Sequence, residues 1–249
     1  MNFFSLFKRK ILYQIKKKIN IDVDGVYKDT LDELFFYYGS DKADIFRKTQ
    51  DKGHGFSKFY TQHLKHLKER EINILEIGSY AGASACAFVK YFPKSTVHCF
   101  DINISNFAYM SKNIKVYGLD INNKKKLKIT LNKTNLNKKV ENFDLIIDDG
   151  SHYLSDILFS LKTFFKYLKK GGIYVIEDFK HPNYYEYNRN VDDILIDQLL
   201  NNLTENKIFN SSIIDREDQK YLFDWIRKID IYKGNLKDSD ICFIEKKLN

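Results

Sequence analysis

Hydrophobic positions change their spacing along the chain, and the change predicts two parts. In the first part they recur at helical spacing. One such stripe consists of Phe4, Phe7, Ile11, Ile15 and Ile19. Two shorter helices are predicted after it, one ending near Gly39 and one covering HGFSKFYTQHLKHLKE. We therefore assign residues 1–66 to a helical N-terminal extension or lid and residues 67–249 to the main domain.

From Ile72 onward, short apolar runs alternate with helical patterns. The predicted strands are INILEIG, STVHCFDIN, KLKITLN, FDLIIDD, IYVIED, IDIYKGN and DICFIEKK. The predicted helices are ASACAFVKYF, FAYMSKNIKVYG, LSDILFSLKTFFKYLKKGG and DDILIDQLLNNL. Strands that are apolar on both faces and alternate with helices are typical of a parallel sheet, and the last two runs can pair as an antiparallel hairpin. The pattern predicts a Rossmann-like α/β fold with a mostly parallel, seven-stranded sheet.

Ligands of such sheets bind outside the carboxyl ends of the strands, so the residues that end each strand are the first candidates. The first strand ends among Glu76, Gly78, Ser79 and Gly82. The second ends at Asp101 and Ile102, with an acid placed to accept hydrogen bonds from ribose hydroxyls. The dinucleotide fingerprint GxGxxG is not satisfied, because Tyr80 and Ala83 stand at two of its glycine positions. These ends indicate a nucleoside ligand without a pyrophosphate, which favours S-adenosylmethionine over NAD.

Four acids end the fourth and fifth predicted strands, namely Asp148, Asp149, Glu177 and Asp178. These strands are expected to be neighbours, so the carboxylates converge and raise each other's pKa. A divalent cation, Mg²⁺ or Mn²⁺, resolves that conflict because it prefers oxygen ligands. His152, shortly after Asp149, can remove a proton from an acceptor. Asp148 or Asp149 could instead cap the next helix, but the coincidence of His152 with a second acid pair favours a metal-and-base site, with Asp148 in a supporting role.

Four segments of the chain resemble a known family. ILEIGSYAGAS, FDIN, FDLIIDDGSH and LKKGGIYVIED resemble class I S-adenosylmethionine-dependent methyltransferases, and the last two are most similar to the macrocin and demethylmacrocin O-methyltransferases. YGSDK and HGFSKFY resemble the N-terminal region of the same family. The resemblance implies a methyl donor, a deoxysugar-type acceptor, and Asp149, Glu177 and Asp178 as metal ligands. Leu131 and Asn132 stand where the family often has Gly-Asp after the third strand, which makes Asn132 the candidate contact to adenine.

The remaining candidates lie on either side of the predicted cofactor pocket. Lys42 is assigned to the cofactor, and His54, Tyr60, His181 and Tyr184 to the substrate. His54, with Lys42 and Tyr60, either forms a lid over the cofactor or fixes a loop, and both interpretations stay open. His181 and Tyr184 follow the fifth strand, where an aromatic ring can stack on a sugar or simply pack.

Composition and charge limit the partners. The net charge is +8, but the lysines form many small clusters without an RNA-binding signature, so nucleic acid is not expected as a partner. Three widely spaced cysteines and the lack of a secretory signal pattern favour free thiols and a cytoplasmic protein. For the basic N-terminal helix, packing on the body or on a second subunit is favoured, and contact with a membrane surface stays open. A homo-oligomer is expected.

Taken together, the sequence predicts a metal-dependent O-methyltransferase. Its acceptor would be a hydroxyl of a sugar, in a nucleotide sugar or glycan, with a role in surface polysaccharide biosynthesis. An N-methyltransferase, an RNA methyltransferase and a partner protein that binds the cofactor without catalysis are the alternatives.

Overall fold

A computed structural model describes residues 3–133 and 142–249 of the chain, with Phe3, Phe4 and Lys133 described by their backbone alone. The side chain of Phe4, the first member of the predicted stripe, therefore lies outside the described part. The described α-helices are α1 Phe3–Ile15, α2 Leu31–Tyr38, α3 Ser57–Leu64, α4 Ala83–Tyr91, α5 Lys124–Lys133, α6 Leu154–Phe164, α7 His181–Tyr184, α8 Ile196–Thr204 and α9 Arg216–Trp225. The described strands are β1 Ile19–Asn20, β2 Ile72–Ile77, β3 Ser95–Asp101, β4 Tyr109–Met110, β5 Ile114–Gly118, β6 Phe143–Asp148, β7 Leu168–Glu177, β8 Ile226–Lys233 and β9 Asp240–Lys246.

Seven of the described strands form one sheet in the order β5-β3-β2-β6-β7-β9-β8. The first five strands are parallel to one another, and β9 is antiparallel to both β7 and β8. The predicted sheet and its terminal antiparallel hairpin are confirmed, and β6 and β7 are neighbours as expected. The two acidic strand ends therefore meet at one edge of the sheet.

Each face of the sheet is covered by its own apolar layer. Ile74, Leu145 and Val175 pack with Phe35 and Phe88 from α2 and α4. On the other face, Leu75, Ile146 and Tyr174 pack with residues of α6 and α8 such as Leu158, Leu161 and Leu199. Successive residues of a strand point to opposite faces. The same alternation decides which face each polar residue at the strand ends joins.

Local signals define α2 at both ends. Thr30 and Glu33 form a capping box, in which each side chain bonds the other residue's backbone N–H. At the other end, Gly39 adopts a left-handed φ of 81° and donates its N–H to Phe35 O. The predicted end of this helix near Gly39 is confirmed, and the chain that follows leads directly into Lys42.

The third strand of the sheet was predicted in the wrong place. KLKITLN lies in α5, and the third strand is β5 Ile114–Gly118, inside the segment predicted as the helix FAYMSKNIKVYG. Leu127 and Leu131 are buried while Ile129 is 42% exposed. A strand would put all three on one face, whereas helical spacing unites only the pair four residues apart. Asn123 also accepts a hydrogen bond from Lys126 N, as a helix cap does.

Helix α1 packs on the body, but by the side opposite to the predicted stripe. Arg9 donates to Ile102 O, and Lys16 donates to the carbonyls of Ser105 and Asn106, so the helix is tied to the chain just after β3. The exposed fractions of the stripe residues are 54% for Phe7, 42% for Ile11, 74% for Ile15 and 56% for Ile19. The helix therefore packs on the body, one of the two placements that the sequence favoured, while these residues of the stripe are largely exposed. Among the described helices, none is both long and apolar enough to cross a membrane.

Candidate functional site

Three carboxylates lie on one face of the sheet because strand alternation places them there. Glu76 near the end of β2, Asp149 just after β6 and Glu177 at the end of β7 share the face that carries Ile74, Ile147 and Val175. The three strands are adjacent in the sheet. Glu76 and Glu177 are 0% and 2% exposed. This arrangement concentrates negative charge in a place with little water.

Lys42 is the counter-ion of this acidic group. Its Nζ lies 2.5 Å from Glu177 Oε2 and also donates to Asp149 Oδ2. Its side chain is 2% exposed. Burial by itself lowers the pKa of Lys42, but Asp149 and Glu177 outweigh that effect and raise this pKa well above its usual value. Lys42 was predicted as a cofactor contact; its observed partners are the two carboxylates, and it also lines a pocket described below.

Glu177 is held by the N-terminal helices. Tyr60 OH donates to Glu177 Oε1, so both carboxylate oxygens are bonded by side chains of residues that precede the sheet. Its prediction as a metal ligand stays a prediction; in the structure its two carboxylate oxygens face Lys42 and Tyr60. Tyr60, a predicted substrate residue, is 0% exposed, and its hydroxyl orients Glu177.

Asp149, His152 and Asp178 form the described group that could hold a metal ion. Each offers one ligand atom, and these atoms all lie within 4.8 Å of one another. His152 Nε2 is 3.7 Å from Asp149 Oδ1. His152 and Asp178 have φ values of 56° and 51°, in the left-handed region that non-glycine residues rarely adopt, and such backbone conformations concentrate at functional sites. The cap position of α6 is taken by Tyr153, so the helix-cap alternative for Asp148 and Asp149 is not observed.

Two of the three candidate ligands, Asp149 and Asp178, suit a hard divalent cation. Asp178 Oδ1 is buried and makes no hydrogen bond of good geometry among the described residues, although His54 Nδ1 lies 3.3 Å from it. An oxygen of this kind gains a partner when it binds a cation. Asp149 and Asp178 supply carboxylate oxygens, which suit Mg²⁺ and Mn²⁺, whereas the imidazole of His152 is a softer donor better kept for proton transfer.

Two further histidines surround Asp178. His54 Nδ1 is 3.3 Å from Asp178 Oδ1 and 2.9 Å from Ser239 Oγ. His181 Nε2 lies 3.7 Å from Asp238 Oδ2, and its ring centroid is 4.7 Å from that of His152. Burial lowers the pKa of His181. The loop between β8 and β9, which the sequence analysis did not single out, thus brings Asp238 and Ser239 to the site.

Tyr184, the last substrate candidate, lies in α7 and is 37% exposed. Its hydroxyl donates to Asp240 Oδ2 at 2.9 Å. The predicted pair His181 and Tyr184 therefore lies near the same edge of the sheet, anchored by acids of the terminal hairpin.

The turn after β2 is built for close approach. Gly78 has φ 88°, and a Cβ at this position would lie 1.8 Å from Asp149 O, so only glycine fits here. Asp101 ends β3, and its Oδ2 accepts the N–H of Tyr80 at 2.7 Å. The carboxylate predicted for ribose thus also ties the turn to the next strand.

Two adjoining pockets open at this edge. The first is lined on its apolar side by Phe100, Ile102, Leu119 and Ile121, and on its polar side by Asp120, Asn122, Asp148 and His152. The second is more polar and is lined by Ser40, Asp41, Lys42, Ser79, Ser84 and Asp149. Both share Gly78, Asp101 and Gly150. The pair offers an apolar slot and a charged slot joined at the glycine turn.

Two buried acids lie at or next to the pockets: Asp148 lines the first pocket, and Glu76 accepts a hydrogen bond from Ser84, which lines the second. Burial raises the pKa of Glu76 to about 7, although Lys42 and a hydrogen bond from Ser84 act in the opposite direction. Burial also raises the pKa of Asp148 to about 7. One oxygen of each, Glu76 Oε2 and Asp148 Oδ2, has no hydrogen-bond partner in the described part of the chain. Such buried oxygens are available to polar groups of a ligand.

Asn132, the predicted contact to adenine, does not follow a strand in the structure. It lies on α5, and the described residues that line the two pockets do not include it. Its assignment followed from the misplaced third strand. The residues that follow the true strand, Leu119 to Asn122, line the first pocket instead. Gly82 precedes α4 with φ 82° and faces the ring of Phe107, whereas Ser79 and Ser84 line the second pocket.

The seven-stranded sheet with its antiparallel final pair, and the pockets at the carboxyl ends of β2, β3 and β6, define a class I methyltransferase fold. Residues 75–179 match the family model described as "Methyltransferase domain", so this segment is a methyltransferase domain.

Comparison with known proteins supports the resemblance to sugar O-methyltransferases. The chain is 30% identical over 132 residues to demethylmacrocin O-methyltransferase of Streptomyces fradiae and 31% identical over 155 residues to L-olivosyl-oleandolide 3-O-methyltransferase of Streptomyces antibioticus. These matches cover 50% and 59% of this chain but 32% and 36% of those proteins. The chain thus aligns with about a third of the length of these curated relatives.

A solved structure agrees on the fold. MycE methyltransferase from the mycinamycin biosynthetic pathway, in complex with Mg and SAH, superposes with a TM-score of 0.65 at 23% identity. The match covers 89% of this chain and 55% of that chain. A second structure of MycE, with mycinamycin VI also bound, gives the same TM-score of 0.65.

Proposed function

We propose that this protein transfers the methyl group of S-adenosylmethionine to a hydroxyl of a sugar. The observation that carries the proposal is the convergence of Asp149, His152 and Asp178 beside two pockets that share Gly78 and Asp101. The names of the curated relatives, all sugar O-methyltransferases, support it. The acceptor is a sugar in a nucleotide sugar or glycan, and surface polysaccharide biosynthesis is the setting we propose.

The donor is assigned to the two pockets by their chemistry. Phe100, Ile102 and Leu119 offer an apolar slot suited to a flat base, and Asp101 is placed for ribose hydroxyls. Lys42, Ser79 and Ser84 line the charged slot, which suits the amino and carboxylate groups of a methionine moiety. Glycine at position 78 lets the ligand pass close to the backbone between the slots.

His152 is proposed as the base that takes the proton from the acceptor hydroxyl. Its left-handed backbone turns the ring beside Asp149, with Nε2 3.7 Å from Oδ1 of that residue. Asp149 and Asp178, with Glu177 as the third predicted ligand, would hold Mg²⁺ or Mn²⁺, and this cation would lower the pKa of the acceptor hydroxyl. The chain's own residues do the rest: His181 and Tyr184 on α7 orient the acceptor, and His152 removes the proton.

Residues 1–66 are proposed as the lid of this site. Lys42 and Tyr60, both from this segment, bond Glu177, and His54 contacts Asp178. We also propose a cytoplasmic location, which the three free and buried cysteines support.

The direct test is an assay of methyl transfer to nucleotide sugars and to glycans, with Mg²⁺, with Mn²⁺ and with EDTA. Activity is expected with the metals and is expected to fall to background in EDTA. Full activity in EDTA would contradict the metal assignment. Methylation of RNA or of amines, without sugar methylation, would favour the alternative acceptors, and binding of the donor without any turnover would favour a partner protein.

The base is tested separately. His152→Ala should lower kcat by roughly 10²–10⁴-fold, while calorimetry should give an unchanged affinity for S-adenosylhomocysteine. His66→Ala, a change at an exposed histidine outside the site, is the matched control. Equal turnover of the two variants would mean that another group takes the proton.

A further inference from the structure

The N-terminal helix presents apolar side chains to solvent in the middle of a strongly basic segment. The basic residues are Lys8, Arg9, Lys10, Lys16, Lys17 and Lys18, and the first acid in the chain is Asp22. Ile11, Leu12 and Ile15 are 42%, 41% and 74% exposed. Beyond the helix, Ile19, Val23 and Tyr27 are also exposed, at 56%, 78% and 84%. Several exposed apolar residues within one short segment are typical of an interaction surface.

The orientation of α1 is held by polar bonds to the body. Arg9 and Lys16 donate to backbone carbonyls after β3, and Tyr13 packs on Phe107 on the same side of the helix. Ile11 and Ile15, four residues apart, therefore lie together on the outer side. Lys8 and Lys17, both exposed, flank them. The outer face thus combines apolar side chains with positive charge.

We propose that this face binds the surface of an anionic lipid bilayer. An interfacial helix buries its apolar side chains at the headgroup boundary while its lysines meet anionic lipids, and both features are present here. A second copy of the chain fits less well, because a symmetric dimer places the same face against itself and would bring the two basic segments together. The proposal does not depend on the methyl-transfer function.

The experiment is sedimentation of the full chain with vesicles of phosphatidylcholine alone or of phosphatidylcholine with phosphatidylglycerol. Binding is expected to the anionic vesicles, to weaken as salt is raised, and to be roughly tenfold or more tighter than to neutral vesicles. The double variant Ile11→Asp, Ile15→Asp should lose this binding by a similar factor. Circular dichroism checks that it keeps its fold, and Lys8→Glu, Lys17→Glu provides an independent second variant.

A matched control is available at the opposite edge of the sheet. Ile208 and Ile231 are 67% and 44% exposed, close to the values for Ile15 and Ile11, and Ile231 lies in β8, which is the edge strand furthest from α1. Ile208→Asp, Ile231→Asp changes the net charge equally and should bind vesicles like the parent.

Four results would overturn the proposal. The first is no binding of the parent to anionic vesicles. The second is equal binding of Ile11→Asp, Ile15→Asp and of the control Ile208→Asp, Ile231→Asp. The third is a parent dimer in light scattering that Ile11→Asp, Ile15→Asp converts to a monomer, which would assign the face to a second copy. The fourth is displacement of vesicles by an RNA oligonucleotide at the same salt, which would assign it to nucleic acid. None of these results would count against the proposed methyl transfer, because that activity is measured separately with soluble acceptors.

Discussion

Lys42 gives the buried carboxylates on its face of the sheet the ionic hydrogen bonds that water would otherwise supply. Its ammonium bonds Asp149 and Glu177, and Tyr60 completes the set at Glu177. The pattern of acids at the strand ends suggested that a metal must relieve their repulsion. A protein cation relieves part of it, which leaves Asp149 Oδ1 and Asp178 as the oxygen donors turned toward His152. One side of Asp149 therefore serves the ion pair and the other side serves the candidate metal site.

Lys42→Met should destabilise the protein strongly, because it leaves two carboxylates in a buried place without their counter-ion. Breaking a buried pair from one side costs about 3–5 kcal/mol of unfolding free energy, measured by urea denaturation. Lys90→Met is the control, since Lys90 pairs with Asp24 at 2.7 Å with its side chain 21% exposed, and a loss of about 1 kcal/mol or less is expected there. Equal losses for the two variants would show that Lys42 is not an essential counter-ion.

Residue-level prediction succeeded where chemistry and position coincide in one short segment. Asp149 and His152 lie in IDDGSH, and their proximity follows from the turn after β6. The partners of Glu177 could not be inferred in the same way. Lys42 and Tyr60 come from elsewhere in the chain, and nothing in their own segments indicates which carboxylate they meet. Their roles follow only once the strand faces are known.

At the level of elements, the strongest signals were runs with one clear period. The strands β2, β3, β6, β7 and β9 were predicted because each is apolar on both faces. β5 was missed because at the edge of the sheet Lys115 is exposed and Val116 and Tyr117 are only partly buried, so its apolar run is weak. Over five residues, the hydrophobic pattern of an edge strand is hard to tell from that of a lysine-rich amphipathic helix such as α5. The four-residue spacing of the buried Leu127 and Leu131 indicates a helix.

Strand β3 carries a histidine whose burial makes stability depend on pH. His98 is 8% exposed and stacks on Tyr117. Burial, with a smaller effect of Lys115, lowers its pKa to about 4 from 6.5. As pH falls from 6.5 toward 4, His98 is protonated in the unfolded chain but stays neutral in the folded chain. The contribution of neutral His98 to the unfolding free energy is therefore fully present above pH 6.5 and is lost progressively between pH 6.5 and 4.

His98→Phe should remove this dependence. Between pH 7 and pH 5, the parent is expected to lose more unfolding free energy than the variant, by up to about 1.4 kcal/mol for each pH unit below the unfolded pKa. Urea denaturation at pH 5, 6 and 7 measures the difference between the two proteins, in which the contributions of other groups cancel. Parallel curves for parent and variant would contradict the assignment.

For the whole molecule, the fold was predictable and the outward face of α1 was not. Seven strand-like runs with an antiparallel final pair suffice for the sheet, although one run was misplaced. The stripe of α1 has the spacing of a core-facing helix, and an apolar stripe normally packs inward. Here the other side is attached, because Arg9 and Lys16 donate to backbone carbonyls after β3 and Tyr13 packs on Phe107.

Ligand binding should stabilise the whole chain if the two pockets form one cofactor site. S-adenosylhomocysteine at about 100 times its Kd should raise the unfolding free energy by about 2.7 kcal/mol, seen as a rise in Tm. NAD at the same concentration is the control and should have little effect, because Tyr80 and Ala83 replace glycines of the dinucleotide motif. Equal stabilisation by NAD would contradict the choice of ligand.

The partners within the site are far apart along the chain, and this has a consequence for its biosynthesis. Lys42 must meet Glu177, and His54 must meet Ser239. At a translation rate of roughly 5–20 residues per second, the early members wait for many seconds before the late ones leave the ribosome. During that time Lys42 stays hydrated on a nascent chain, so its transfer out of water belongs to the final stage of folding. Docking of the β8–β9 hairpin, which carries Ser239, then becomes the event that closes the site.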